Sequence, residues 1–241
     1  MKQSGYGCAL LLWGLLVVTA AQAECDSRVD VPGELHVCKA WPAEPGMSIT
    51  ARATPMLGAR DDGTRSYSLD VALLFDDSGW AVASNYKDSA LFSDAVVLQG
   101  LQIDTARYRL NQAERAFGLR VLYSHGSSAA PYEKTVLTLY RRDDKQILPL
   151  LEGLVVDESA GEFGWGGECS GHSRTLHRTL ATGPGQHHGY ADLIVRSREL
   201  KTEHFKGRDG CDSRDLPAST STVTLHYDGS RYPIPGSLKG P

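Results

Sequence analysis

Apolar residues at alternate positions constrain this chain more than any other feature. In Tyr67-Ser-Leu-Asp-Val-Ala-Leu-Leu-Phe75, the side chains of Tyr67, Leu69, Val71, Leu73 and Phe75 fall on one side of an extended backbone. Successive side chains of a strand point to opposite faces, so this stretch reads as a half-buried strand. The same period recurs at Leu101, Ile103 and Thr105, and at Phe117, Leu119, Val121 and Tyr123. It recurs again in Val136–Tyr140, Leu193–Val195 and Val223–Tyr227. Helical spacing is weak; the best helix candidate, Asn111 to Ala116, spans barely two turns. The strongly charged segment 196–205 suits an exposed strand or a short helix.

Three places share one local design, in which an apolar run ends in an aromatic and an acidic turn follows. They are Phe75-Asp76-Asp77-Ser78-Gly79-Trp80, Tyr140 through Asp143-Asp144-Lys145, and Tyr227-Asp228-Gly229-Ser230-Arg231-Tyr232. Asp-Gly and Ser-Gly supply the backbone freedom of tight hairpin turns. The leading aromatics stand 65 and 87 residues apart, too unevenly for a repeat array. The expected fold is all-β: an antiparallel sandwich or barrel-like single domain over residues 24–241, with a C-terminal hairpin. The glycine-dense segments 161–171 and 183–189 are expected to be loops.

Residues 1–23 have the order of a signal peptide. Lys2 is followed by a 12-residue apolar run from Ala9 to Ala20, then Ala21-Gln22-Ala23. About 20 apolar residues are needed to cross a bilayer as a helix, so the run is too short to span. Cleavage after Ala23 and a periplasmic location are expected, with no membrane span in the mature chain. The mature chain of 218 residues carries 24 basic and 29 acidic residues, net −5. That balance argues against nucleic acid as a partner, because binders of polyanions carry a clustered basic footprint.

Cleavage leaves four cysteines: Cys25, Cys38, Cys169 and Cys211. An even number in an exported chain reads as disulfides, and four cysteines allow three pairings. Proximity favours Cys25–Cys38, an N-terminal clip, and Cys169–Cys211, which encircles a histidine-rich segment. A zinc site on these cysteines is the weaker alternative, since the spacing fits no compact zinc module.

Four of the eight histidines, His172, His177, His187 and His188, fall within 17 positions. Imidazole suits zinc, copper or nickel, so these four are candidate metal ligands, with Asp192 or Glu168 as a possible carboxylate. Against this, they also suit solvated loops, and His187 and His188 point apart on an extended backbone. Adjacent acids at Asp61-Asp62, Asp76-Asp77 and Asp143-Asp144 are explained by turn formation. No GxSxG elbow, phosphate loop or HExxH frame occurs. Exposed aromatics can anchor a protein or stack on a sugar. Trp165, Trp80 and Tyr190 are the candidates for that role.

Several stretches together resemble a group of exported β-rich proteins of Gram-negative bacteria. They are Val37-Cys38-Lys-Ala-Trp41-Pro42, Leu101 to Tyr108, Arg115-Ala-Phe-Gly118, Leu150 to Val156, and Tyr227 to Tyr232. The resemblance implies export and a β-rich fold and brings no activity or catalytic residue. The expected function is a non-enzymatic periplasmic binding or inhibitor-type protein, with an envelope protein or glycan as partner and no cofactor. The alternative is a transition-metal-binding protein or metal-dependent enzyme built on His172–His188. Convergence or splaying of those four side chains decides between them.

Overall fold

The computed structural model describes residues 29, 31–58, 63–164 and 169–239. Twelve strands form one sheet system: β1 (Leu35–Ala40), β2 (Met47–Pro55), β3 (Arg65–Phe75), β4 (Ala81–Ser93), β5 (Val97–Arg109) and β6 (Arg115–His125). They continue as β7 (Tyr132–Asp143), β8 (Gln146–Phe163), β9 (Gly171–His187), β10 (Tyr190–Lys206), β11 (Cys211–Asp215) and β12 (Ser219–Leu225). A 3-10 turn follows at Gly236–Leu238. The all-β expectation holds, and the sheet is not closed into a barrel.

Antiparallel neighbours run β1-β2-β3-β4 and β8-β7-β6-β5, and the two runs join where β4 meets β8 at one parallel bridge, Ser84 to Gln146. There the Asn85 side-chain amide donates to Ile147 O at 2.9 Å, so a side chain takes over where the backbone ladder stops. The sheet curls until β1 and β5, its outer strands, lie side by side, with Lys39 donating to Ile103 O at 3.3 Å. β8 is 18 residues long, and that length lets it serve two sheets. Its start borders β4 and its end, Asp157–Phe163, borders β9, while β7 flanks it throughout.

Two apolar cores lie on opposite faces of the central strands. Ile49, Leu73, Phe117, Leu119 and Ile147 belong to the first. Ala116, Leu137, Leu139, Leu150, Leu151 and Leu154 belong to the second, which Leu193, Leu225, Tyr227, Tyr232 and Leu238 close from the other side. The middle strands are therefore buried on both faces, which is why Ala116 to Leu119 is buried without interruption.

Asn111–Glu114 is not helical. The Asn111 side chain accepts the amides of Ala113 and Glu114 at 2.9 and 2.8 Å, and Leu110 N donates to Glu114 O, closing the β5–β6 turn. Asparagine favours such a turn over a helix interior because its side chain competes for local amides. Residues 196–205 are strand. The acidic turns after Phe75 and Tyr140 are hairpins as expected. The third is a turn without a returning strand. Asp228 N donates to Arg231 O, and then Tyr232 N turns to Leu150 O at 2.7 Å. The buried Tyr232 ring gains more from the second core than an outer strand would offer.

Cys169 and Cys211 form a disulfide that ties the start of β9 to β11. Cys38 on β1 is also disulfide-bonded, and its expected partner, Cys25, lies outside the described residues. No helix among the described residues is long and apolar enough to cross a membrane.

Candidate functional site: a His–Asp–His corner

The segment 183–189 is strand and tight turn, not loop. His187 pairs with Tyr190 across the two-residue turn His188-Gly189, whose φ angles are 48° and 85°. Positive φ at both centres is the mirror-image turn that matches strand twist. One pair further on, Gln186 faces Ala191, and the next pair in register is Thr182 with Leu193. Three residues of β9, Gly183-Pro184-Gly185, thus stand opposite the single residue Asp192. Proline has no N–H to leave unpaired in such a bulge. Glycine supplies the room: a Cβ on Gly185 would sit 2.2 Å from Asp192 Oδ2.

β12 completes the corner from the other edge of β10. Leu193 pairs with Leu225, so continuing that register sets Asp192 beside His226. His187 Nδ1 lies 2.7 Å from Asp192 Oδ1, and His226 Nδ1 lies 2.9 Å from the same oxygen. The two imidazole centroids are 4.1 Å apart. One donor atom from each of the three residues lies within 4.8 Å of the other two. The Asp192 side chain is buried, whereas His187 and His226 are about half exposed, at 48% and 55%.

Desolvation alone would raise the Asp192 carboxyl, but hydrogen bonds from His226 and His187 outweigh it and hold the group below its ordinary range. Ionised Asp192 accepts both Nδ1–H groups, which leaves both Nε2 atoms as acceptors. Alternatively, an ion can replace the two shared protons. Zinc stands about 2.0–2.2 Å from such donors, so the 2.7 and 2.9 Å separations must open to about 3.3 Å. Rotation of two half-exposed rings supplies that. Three protein ligands leave a position open.

The histidines singled out by sequence density do not converge. His172 reaches Glu162 at 3.5 Å and His177 reaches Asp157 at 2.6 Å. Both lie on β9, and about 30 Å of strand separates His177 from His187. His188 has its ring over Gly229 and stands outside the three-atom group. Only His187 of the four joins the corner. His226 was absent from the expected set, because nothing local marks it; only the β10–β12 register brings it to Asp192.

Trp80 stands exposed at the β3–β4 turn. Tyr190 does not. Its ring packs on Tyr227 at 4.5 Å in the second core, and its hydroxyl donates to Glu114 at 3.0 Å. An aromatic just after a turn was expected outside, but the two-residue turn returns the chain to the core at once. Trp165 and Glu168 lie outside the described residues.

The corner and the sheet that builds it define an all-β, disulfide-bonded protein. No protein-family model, no curated protein and no solved structure matches the chain.

Proposed function

We propose that this chain is an exported, non-enzymatic binding protein whose ligand is a divalent transition-metal ion held by His187, Asp192 and His226. The observation that carries the reading is the convergence of two imidazoles and one buried carboxylate from three separate segments. Imidazole donors favour zinc, copper or nickel over calcium or magnesium, which prefer all-oxygen sites. The Cys169–Cys211 disulfide supports an oxidising compartment, which is the periplasm if residues 1–23 are cleaved as a signal peptide. Water or a group from a partner fills the open position.

Calorimetric titration of metal-free protein with zinc, copper and nickel tests this. One equivalent is expected to bind, and His187→Ala with His226→Ala should abolish it. Gly185→Ala, which drives a methyl group into Asp192, should weaken it by at least about tenfold, or about 1.4 kcal/mol. Equal heats from wild type and the double variant would end the metal reading.

A further inference from the structure

A second site lies at the far end of β8, β9 and β10, away from the metal corner. Four residues stand in one row across four strands. Tyr132 faces Ala160, Ala160 faces Arg174, and Arg174 faces Lys201. Ala160 is far smaller than its neighbours, so the row dips there into a groove of about 640 Å³. That is within the usual size of small-ligand sites, about 300–1,000 Å³. Pro131, the Tyr132 ring and Leu216 give the groove apolar walls.

The charges around the groove are engaged with one another. Arg174 Nη2 donates to buried Glu158 at 2.8 Å, and Tyr132 donates to the same carboxylate at 3.0 Å. Glu199 stands 3.9 Å from Arg174 and 3.5 Å from Lys201. His172 pairs with Glu162, and Glu203 with Arg214. Of the groups that line the groove, two carboxylates, Glu162 and Glu203, balance two permanent cations, Arg174 and Lys201, so no net charge draws an anion in. A cationic ligand would have to pull a carboxylate from its existing partner, at the cost of a charge-assisted hydrogen bond. A neutral polyol meets no such obstacle, since these groups have donors and acceptors to spare for hydroxyls. The groove also lies on a sheet face and not along an edge, so it offers no backbone ladder to an extended peptide.

We infer that this groove binds an uncharged saccharide chain laid across the strands, its hydroxyls on Arg174, Lys201 and Glu203 and its apolar ring faces against Pro131 and Tyr132. Isothermal titration and ligand-observed NMR with two neutral probes, a tetramer of β-1,4-linked N-acetylglucosamine and maltotetraose, test it. An oligogalacturonate serves as the anionic probe and a mixed-sequence peptide as the third. Saturable binding of a neutral tetramer is expected, weakened about tenfold or more by Ala160→Phe, which fills the floor, with zinc binding and circular dichroism unchanged. Lys201→Ala, at an exposed side chain, is the second variant and should weaken binding in the same direction. Failure of both neutral tetramers to saturate at millimolar concentration overturns the inference. So does tighter binding of the oligogalacturonate or the peptide, or wild-type affinity in both variants.

Discussion

Arg178→Met removes the group that fastens the C-terminal segment over the second core. The Arg178 side chain is buried, and its partners are one hydroxyl and three carbonyl oxygens. Nε donates to Ser197 Oγ at 3.2 Å, Nη1 to Val155 O at 2.8 Å and Leu238 O at 3.1 Å, and Nη2 to Ser237 O at 3.0 Å. Burial lowers its pKa, with Glu158 opposing, yet a guanidinium stays charged in a protein. Methionine keeps much of the apolar stem and none of the donors. The bonds to Val155 and Leu238 are fully buried, and an orphaned buried acceptor costs about 1–3 kcal/mol. Water can replace the partner of Ser237, whose bond is only partly buried. The expected loss is therefore about 3–4 kcal/mol. For a chain of this size that lowers Tm by about 6–16 °C. Urea and thermal denaturation measure it, and limited proteolysis should show new cleavage between residues 226 and 239. Arg178→Lys should fall between, because one ammonium can stand in for Nη1, which alone serves Val155 O and Leu238 O, but leaves the Nε bond to Ser197 and the Nη2 bond to Ser237 unmade. A Met variant within about 0.5 kcal/mol of wild type, with the C-terminal segment still protected, would refute this account of how the second core is closed.

Two further outcomes follow from the same geometry. Burial alone would raise the Asp104 carboxyl, but the Ala106 amide, the Arg120 guanidinium and the Tyr108 hydroxyl together hold it below its ordinary range. A depressed native pKa gives stability that is complete above the unfolded value, about 3.9, and lost as pH falls through the native value. The stability gap between wild type and Asp104→Asn should therefore be flat from neutral pH down to about 5 and shrink below about 4. A gap that widens in acid would contradict the assignment. The Cys169–Cys211 bridge spans 42 residues, for which the chain-entropy relation gives about 4 kcal/mol as an upper figure. Replacing both cysteines with serine should cost about 2–4 kcal/mol in urea denaturation, and a loss near zero would mean that the β9–β10 hairpin already orders the unfolded loop.

Strands that cover one core were legible from alternation alone. β3 shows it over Tyr67, Leu69, Val71 and Leu73, all buried in the first core, while Phe75, expected on the same face, stands exposed at the turn. β8 hid for the opposite reason. Leu150 and Leu151 are consecutive yet both lie in the second core, with Leu154 and Val156, because the register against β7 shifts at Leu139/Tyr140 and at Leu137/Leu139 and breaks the alternation. β9 hid behind Gly183-Pro184-Gly185, which reads as a loop until Asp192 is seen to occupy the space those residues leave.

The all-β class, the acidic turns after Phe75 and Tyr140, and the pairing of Cys169 with Cys211 as the nearer choice can be read from the amino-acid order. These are local or statistical properties: side-chain period, turn chemistry and loop length act within a few residues or through chain entropy. It also pointed to His187, with Asp192 as a possible companion. That His172, His177 and His188 stay apart and that His226 takes their place emerges with strand pairing. The reason is register. Whether two side chains meet across strands depends on how many residues separate them from the last shared pair. The bulge at 183–185 and the Leu193–Leu225 pair set that count, and the second brings together Asp192 and His226, which stand 34 residues apart in the chain.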